Sequence, residues 1–369
     1  MKEEILYYIG FSHFYGIGPI KFSLLKKHFK TVKQAYLAKK DDLVELIGKN
    51  LTEKFIKFRQ SFDLEKKYQE IKKKNIIVLT VDDENYPQDL RNISDPPICI
   101  YVKALASSII FDKNFSDYLR MAIVGTREPT NYGAQIARKF SYELAKAGFI
   151  IVSGLAYGID TIAHQSCLEA GGQTIAVLGC GVDVVYPAAN RGLYEKIIEK
   201  NGAIISEFPP GQIVLKGLFI SRNRIISALS KGVMVVEGGE DSGSLITARY
   251  AASQGKDVFA PPSPITSKMS AAPNILLKQG AQLVTSVEDI FEEFNLKITP
   301  KKEDEIKNTL TDFEKEIFEV LKEKPLSIDD LVLKLQRPIT EILNYLSMME
   351  IKNIIKKNQE NLYELIVNF

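Results

Sequence analysis

The sequence has no tryptophan, only three cysteines and three histidines in 369 residues, and no long apolar run. A bilayer span needs roughly 20 apolar residues, and the start Met1-Lys2-Glu3-Glu4 lacks a signal-peptide pattern. Cys99, Cys167 and Cys180 show no metal-ligand spacing, which predicts small core residues in a reducing compartment. We therefore expect a cytoplasmic protein without a membrane contact, and the scarce histidines argue against a zinc site.

Charge is unevenly distributed along the chain. Residues 1–75 hold 17 Lys and Arg against 9 Asp and Glu, whereas residues 76–300 and 301–369 are each slightly acidic. A basic segment of this kind is suited to a polyanion. A solvated lysine face on small helices explains the same residues equally well, so both interpretations stay open.

Residues 1–72 are predicted to form a small domain of short helices. The turn Tyr15-Gly16-Ile17-Gly18-Pro19 precedes a helical periodicity and resembles the turns of helix-hairpin-helix and SAM-like modules. Such a turn can present backbone N–H groups to a phosphate. A tight interhelical turn without a ligand is the slightly preferred interpretation.

Residues 76–297 alternate short β-branched runs with amphipathic stretches, which predicts an α/β domain. The predicted strands are Ile76–Thr80, Met121–Val124, Phe149–Val152, Thr174–Leu178, Ala203–Ile205, Val233–Val236 and Val258–Ala260, and the predicted helices include Gly133–Lys146, Ile159–Ala170 and Leu245–Ser253. Apolar strands joined by helices indicate a parallel sheet covered on both faces. Ligands of such sheets bind beyond the carboxyl ends of the strands, where the glycine-rich loops fall.

A charged bridge at residues 299–305 separates this domain from a third one at residues 306–369. That tail is predicted to hold three helices and a two-stranded finish, an order that resembles a winged helix. Because the segment is net acidic, a structural or protein-contact role is favoured over DNA reading.

The stretch from Ile151 to His164 is a predicted strand that runs through glycines directly into a helix. Glycines allow close backbone approach, and the N–H groups at the start of a helix attract anions. This layout predicts a phosphate cradle, although close packing of strand on helix requires similar glycines.

Three further loops supply cations, hydroxyls and an aromatic ring at strand ends. Arg127 follows a strand and can donate two parallel hydrogen bonds to a phosphate. The segment 216–226 combines Lys216, Phe219, Arg222, Asn223 and Arg224, a mixture suited to single-stranded nucleic acid. A core position for Phe219 and a buried ion pair for Arg224 are the open alternatives. The segment 241–248 predicts a helix N-cap with free N–H groups.

Taken in order, these blocks resemble the DprA/Smf family of DNA-processing proteins. The blocks are Tyr86-Pro87, Asp95-Pro96-Pro97, Ile123–Arg127, Tyr132-Gly133, Ser153–His164, Gly179–Gly181 with Tyr186-Pro187, Ser206-Glu207, Arg222–Ile226, Val236-Glu237, Ser242–Ser244 and Gly280-Ala281. Departures are Phe219-Ile220 for a usual Phe-Pro, Pro261-Pro262 for a Pro-Gly turn, and Ala272-Pro273-Asn274 for Gly-x-Asn.

The resemblance implies an extended Rossmann-like fold, binding of single-stranded DNA, homodimers, and loading of the RecA recombinase onto incoming DNA in natural transformation. By position it implies DNA contacts at Arg127, Ser153, Gly154, Ala156, Gly158, Lys216, Phe219, Arg222, Asn223, Gly243, Ser244 and Lys256. It implies no catalytic residue, metal or cofactor. For dimerisation, the amphipathic stretch Asn274–Ala281 is the candidate.

Two enzymes compete with this interpretation. A nicotinamide dehydrogenase is disfavoured because Gly179-Cys180-Gly181 lacks the third glycine and Ser206 stands where an acidic residue would hold the ribose. A phosphoribohydrolase-like nucleotide enzyme is the main alternative, but Thr247 stands at the position of its catalytic glutamate. Asp160 and His164 share a helical face; a local hydrogen bond between them is preferred to acid/base chemistry.

Overall fold

The computed structural model describes residues 4–296, 307, 310–352, 354–358 and 361–365; the predicted bridge at residues 299–305 lies outside them. The chain divides into two compact units, residues 1–289 and residues 290–369. The first unit includes both the N-terminal helices and the sheet, and the division of the chain into three domains remains a prediction. Within the described residues, no helix is both long and apolar enough to span a membrane.

The N-terminal part is helical. Its helices are α1 (Glu4–Ser12), α2 (Pro19–Phe29), α3 (Val32–Leu37), α4 (Lys40–Ile47), α5 (Lys49–Ser61) and α6 (Leu64–Lys73). Aromatic rings fill their core: Phe11 stacks on Phe55 at 5.3 Å between ring centroids and meets Tyr36 edge-on at the same distance. Such pairs add to the stabilisation from burial.

These helices also contact the sheet of the same unit. The Ser12 hydroxyl lies 2.5 Å from the Tyr101 hydroxyl, and Lys74 forms an ion pair of 2.6 Å with Asp183. Ile9 of α1 is fully buried among sheet residues. The basic segment is therefore packed onto the α/β part of the chain.

The sheet has nine strands and is mostly parallel. The strands are β1 (Ile77–Thr80), β2 (Cys99–Ala104), β3 (Arg120–Val124), β4 (Ile150–Ser153), β5 (Thr174–Val177), β6 (Ala203–Ser206), β7 (Gly232–Val235), β8 (Asp257–Ala260) and β9 (Gln282–Leu283), in the order β1-β2-β6-β5-β4-β3-β7-β8-β9. The α/β class with a large parallel sheet is confirmed. Sequence reasoning missed β2 and β9, and β1 pairs antiparallel with β2, which pairs antiparallel with β6.

Helices cover both faces of the sheet. Those that follow β1 are α7 (Gln88–Arg91), α8 (Asn131–Lys146), α9 (Ile159–Glu169), α10 (Arg191–Glu199), α11 (Lys216–Ala228), α12 (Gly243–Ser253), α13 (Ala271–Lys278) and α14 (Val287–Glu293). Ile175 and Val177 pack in one core with α11 and α12, whereas Ala176 packs in another with α10. Successive residues of a strand therefore pack on opposite faces of the sheet. Because both faces are covered by helices, the strand is apolar on both of them.

Described by itself, residues 312–365 of the second unit contain three helices and a hairpin. The elements are α15 (Asp312–Glu323), α16 (Ile328–Leu335), α17 (Ile339–Ile351), β10 (Ile355–Lys357) and β11 (Tyr363–Leu365). The side chains of Thr311 and Ser327 cap α15 and α16 by reciprocal hydrogen bonds. The order of elements agrees with the pattern read from the sequence, and the winged-helix assignment remains a prediction.

Candidate nucleic-acid interface

A cavity of about 870 Å³ lies at the carboxyl edge of the parallel strands. Its walls come from the loop after β3, the loop before α9, the start of α11 and the loop that joins β7 to α12. The strand β3 lies between β4 and β7. The chain extends the sheet from β3 toward β4 on one side and later toward β7 on the other, so the strand order reverses at this point. Crevices at such a switch point are the usual ligand sites of α/β sheets.

The structure brings most of the predicted contact residues to this cavity. Those that line it are Arg127, Ala156, Lys216, Phe219, Arg222, Asn223, Gly243 and Ser244. Ser153 and Gly154 are buried at the end of β4, and Gly158 is the partly buried residue at the N-cap of α9. Lys256 alone lies elsewhere.

Lys256 lies at the amino ends of the parallel strands, opposite the cavity. Its Nζ is 3.6 Å from Asp89, a carboxylate that also pairs with Arg120 and lies 3.7 Å from Lys231. Arg120 and Lys231 mark the amino ends of β3 and β7. Lys256 directly precedes β8, which is parallel to β7, so it lies at the amino ends of the strands and away from the cavity at their carboxyl ends.

Arg127 is an exposed cation at the cavity mouth. Its guanidinium lies 5.2 Å from the centre of the Phe219 ring, and no ion pair to it occurs among the described residues. The preceding Thr126 N–H donates to the Glu237 carbonyl at 2.8 Å, which fixes the loop after β3. Arg127 is thus available to an anion, as a stacked guanidinium with unused donors.

Phe219 is neither a core residue nor a free ring. It is half-buried, its centre is 5.7 Å from that of Tyr186, and it packs on the backbone of Gly179. Tyr186 is 39% exposed and lines the same cavity. The two rings form an aromatic wall that a nucleobase can stack on.

Arg222 is buried beneath the cavity and is largely engaged by protein acceptors. Its Nη1 donates to the carbonyls of Gly154, at 2.8 Å, and Val177, and its Nε donates to Asn223 Oδ1 at 3.3 Å. Burial lowers the pKa of Arg222, and the carboxylate of Asp160 opposes that shift. This cation therefore joins β4, β5 and α11 as well as facing the cavity.

Arg224 takes the alternative role that the sequence left open. Its Nε donates to Asp95 at 2.9 Å and its Nη2 donates to Glu207 at 2.6 Å. The side chain is 4% exposed. The buried ion pair is confirmed, and Arg224 does not line the cavity.

The predicted phosphate cradle already holds a carboxylate. Asp160, in the first turn of α9, accepts from the Ala156 N–H at 3.4 Å and lines the cavity although it is only 6% exposed. Burial raises the pKa of Asp160, and the charge of Arg222 together with the N–H groups of Ala156 and Gly154 opposes the rise. An internal anion thus occupies the inner part of the loop, and a phosphate has room only at its outer side.

The expected hydrogen bond between Asp160 and His164 is wrong. His164 Nδ1 instead lies 2.6 Å from the Thr174 hydroxyl, which donates to the Ile151 carbonyl at 2.6 Å. His164 is fully buried, and burial lowers its pKa to about 3. A helical spacing of four brings two residues to one face but does not make them partners, because β5 offers the histidine a closer one.

Asn223 links two helices at the cavity. Its Nδ2 donates to the carbonyl of Gly243 at 3.2 Å, and Gly243 is the first residue of α12. The predicted N-cap is confirmed at Ser242, whose hydroxyl accepts from the Ser244 N–H at 3.3 Å. The middle of α11 therefore contacts the start of α12, and the first residues of both helices, Lys216 and Gly243, line the same cavity. The positive end of a helix dipole lies at its start, where it attracts anions.

Glu237 explains why a glycine opens α8. Its carboxylate accepts from the Thr130 N–H at 2.9 Å and from the Thr130 hydroxyl at 2.6 Å. A Cβ at Gly133 would lie 2.7 Å from Glu237 Cγ and closer still to the carboxylate itself, so a larger residue would break this contact between the loop after β7 and the loop after β3. The separated blocks Tyr132-Gly133 and Val236-Glu237 are one structural unit.

The cavity carries no surplus of positive side chains. Its lining includes the cations Arg127, Lys216 and Arg222, and the carboxylates of Asp160, Glu240 and Asp241. Attraction for a phosphate therefore rests on the placement of Arg127 and Lys216 and on the helix starts, not on net charge. Within the described part of the chain, no three His, Cys, Asp or Glu side chains are grouped as metal ligands.

Among the cavity residues that sequence reasoning did not assign to the site are Tyr186 and Asp160. The Tyr186-Pro187 pair could have indicated a site residue. Its ring partner Phe219 is 33 residues away, so the sequence did not show that the two rings lie together. Thr247, at the position of the glutamate in the alternative enzyme, is buried in the cavity wall. A threonine hydroxyl is no general acid at neutral pH.

Fold and site together define an α/β protein with a mostly parallel sheet and a cavity at its switch point. A model of the family described as DNA recombination-mediator protein A matches residues 77–295. The chain is 40% identical to Protein Smf of Synechocystis over 77% of its own length and 71% of that protein, and 42% identical to DNA processing protein DprA of Streptococcus pneumoniae over 58% and 72%. This chain belongs to the DNA recombination-mediator protein A family.

Solved structures agree with that assignment. The crystal structure of DNA processing protein A from Streptococcus pneumoniae superposes with a TM-score of 0.67 at 33% identity, covering 79% of this chain and 98% of that one. DNA processing protein A from Helicobacter pylori, studied for its binding of single-stranded DNA, gives a TM-score of 0.52 at 32% identity over 60% of this chain and 95% of that one.

Proposed function

We propose that this protein binds single-stranded DNA in the switch-point cavity, protects incoming DNA and loads the RecA recombinase during natural transformation or recombination. The observation that carries the proposal is the meeting of Arg127, Lys216 and the Phe219–Tyr186 wall with the starts of α11 and α12. Cations and backbone N–H groups suit phosphates, and aromatic rings suit unpaired bases. The family and the Helicobacter pylori relative support the same function.

Binding rather than turnover is the proposed activity. Thr247 stands at the position of the catalytic glutamate of the alternative enzyme. The candidate acid/base residues are engaged within the protein: His164 is buried beside Thr174, and Asp160 accepts from the Ala156 N–H. Incubation with nucleoside monophosphates followed by product analysis tests this point. Release of a free base would establish the nucleotide-processing alternative.

The contact set proposed for DNA is the cavity-lining group together with the outer side of the loop at residues 153–158, because the Ala156 N–H already donates to Asp160. Ser153 and Gly154 belong to it as backbone, because the Ser153 hydroxyl donates to the Ile123 carbonyl at 2.7 Å. Lys256 is left out, because it lies at the opposite edge of the sheet.

Filter binding with single-stranded and blunt double-stranded DNA across a salt series is the deciding experiment. Affinity for single strands should fall with salt, by about 0.7 in the logarithmic slope for each phosphate neutralised. Equal or tighter binding to the duplex overturns the proposal. For the recombinase, the assay is the rate at which RecA nucleates on DNA covered by a single-strand-binding protein, with and without this protein.

A homodimer is proposed as well, with Asn274–Ala281 as the first candidate for the contact. Within this stretch Leu276 packs in the unit's own core, whereas Ile275 and Leu277 are only partly buried. The edge strand β9 is the second candidate. Leu283 of β9 is 54% exposed, and β9 pairs only with β8 among the described strands. Sedimentation of the protein and of a Leu283→Lys variant tests whether this edge carries the contact.

A further inference from the structure

The loop that follows β5 (residues 178–187) brings Tyr186 to the cavity, and the carboxylate of Asp183 ties this loop to two other segments. Oδ1 of Asp183 accepts from the Gly211 N–H at 2.7 Å, and Oδ2 pairs with the Lys74 ammonium at 2.6 Å. Burial raises the pKa of Asp183, but the hydrogen bonds from Lys74 and Gly211 outweigh it and hold the pKa below its usual value. Asp183 is therefore an anion that joins this loop to the end of α6 and to the loop that precedes α11.

The two loops joined by Asp183 carry the two rings of the aromatic wall. Tyr186 stands three residues after Asp183, and the other loop leads into the helix α11, which carries Phe219. A second bond joins the loops beside the first, because the Gly181 N–H donates to the Gln212 carbonyl at 2.9 Å. The ring centres lie 5.7 Å apart, so their spacing depends on how the two loops are held together.

The N-terminal helices underlie the loop after β5. Ile71 of α6 is buried in one core with Cys180 and Val182 of that loop. The Lys74–Asp183 pair is more open to water, with the lysine side chain 50% exposed and the aspartate side chain 15%. A partly exposed ion pair contributes little to folding stability, so its loss should leave the fold intact.

We propose that Asp183 is a positioning residue for DNA binding, and that through Lys74 the N-terminal helices hold the loop that presents Tyr186. A wall that is fixed before the strand arrives needs no ordering when a base stacks on it, whereas a loose loop must be ordered during binding. The N-terminal helices thus act on DNA binding by supporting the wall, not by offering their lysines to phosphates. The inference rests on the proposed function, because it concerns the affinity of the same cavity.

Two variants of the full chain separate positioning from simple electrostatics. Asp183→Asn keeps an acceptor for the Gly211 N–H and loses the ion pair, and Lys74→Gln loses the same pair from the other side. Electrostatics alone predicts opposite effects on a polyanion, with tighter binding when the carboxylate is removed and weaker binding when the ammonium is removed. Positioning predicts that both variants weaken oligothymidylate binding by about two- to fivefold, the range of a partly exposed ion pair. The double variant should bind no more weakly than either single one.

Lys73→Gln is the matched control for Lys74→Gln. Lys73 is an exposed lysine at the same end of α6 and forms no ion pair among the described residues, so its loss removes the same charge without touching Asp183. At physiological salt this variant should bind like the natural protein. In a Tyr186→Ala background, where the wall is already broken, Lys74→Gln should have no further effect.

Urea midpoints establish that each variant is folded. Unchanged or tighter binding by Asp183→Asn overturns the inference, as does equal weakening by Lys73→Gln and Lys74→Gln. Should Asp183→Asn fail to fold, the effect of Lys74→Gln with and without Tyr186→Ala still decides, because a full effect in both backgrounds excludes a role through the wall. Failure of the natural protein to bind oligothymidylate overturns the proposed function instead.

Discussion

The guanidinium of Arg222 lies directly against the Cα of Gly154. A Cβ at Gly154 would be 2.5 Å from Arg222 Cζ, which is inside van der Waals contact. Because Arg222 also donates to the Gly154 carbonyl at 2.8 Å, the two residues lock the end of β4 to α11. The sequence suggested that Gly154 serves a phosphate cradle. The structure shows that a glycine is needed here because the Arg222 guanidinium leaves no space for a Cβ.

Gly154→Ala should therefore act through stability. Overpacking of a well-filled site costs about 1 to 3 kcal/mol, and Arg222 is too firmly held to move aside freely. Urea unfolding measures the loss. In the Gly154→Ala background, Arg222→Lys should recover part of it, because a slimmer side chain makes room; an additive double-variant cycle would contradict the contact.

Arg127→Ala should weaken binding of single-stranded DNA by about 1 to 3 kcal/mol, since a charge-assisted hydrogen bond is lost. The melting temperature should stay near that of the natural protein, because Arg127 is exposed and forms no ion pair among the described residues. Arg138→Ala, an exposed arginine of α8 outside the cavity, is the matched control. A collapse in melting temperature would make Arg127 a structural residue.

Phe219→Ala should weaken DNA binding by about 1 to 3 kcal/mol with no change in salt slope, because stacking is lost and no phosphate contact is. Its cost in stability should be less than the roughly 3 to 5 kcal/mol of a buried phenylalanine, since the ring is only half-buried. Phe140→Ala, at a fully buried position, supplies that comparison. Equal destabilisation by both variants, with DNA affinity intact, would remove Phe219 from the site.

Lys216→Ala and Lys256→Ala together test whether DNA binds at the carboxyl ends of the strands or at their amino ends. The first removes a cation at the cavity and should lower the logarithmic salt slope by about 0.7. The second removes a cation that faces Asp89 at the other edge, and DNA affinity should not change. Filter binding over a salt series reports both, and a larger effect of Lys256→Ala would mean that the strand follows another path.

His164 should make the protein less stable in acid. Its pKa is about 3 in the folded chain against an ordinary value of 6.5. The unfolded chain therefore binds more protons between these values, and stability falls as pH decreases through that window, by at most about 1.4 kcal/mol per pH unit for one group.

His164→Gln keeps a partner for Thr174 and does not titrate, so its urea midpoint should fall less steeply from pH 6 to pH 4 than that of the natural protein. His13, whose pKa burial lowers to about 4, contributes a similar slope and remains in both proteins. Parallel curves would show that His164 is protonated without cost.

Local patterns in the sequence determined the α/β class, most strands and the N-cap at Ser242, because apolar runs, glycine turns and capping residues act over a few positions. The family resemblance, carried by several such blocks in one order, supplied the set of contact residues, most of which line one cavity. The strand β2, which pairs antiparallel through Thr80 with Cys99 and Tyr101 with Ser206, was missed although its partners are no more distant than those of β3, which was found.

The tertiary structure decided which groups face the ligand and which face the protein. Arg222 and Arg224 are two residues apart, yet one underlies the cavity and the other forms a buried pair with Glu207. Lys256 lies at the amino ends of the strands beside Asp89, and Asp160 accepts a hydrogen bond inside the loop that was predicted to bind phosphate. Such outcomes depend on contacts between segments tens of residues apart, and no local pattern specifies where a crossover leaves a side chain or which partner it meets there.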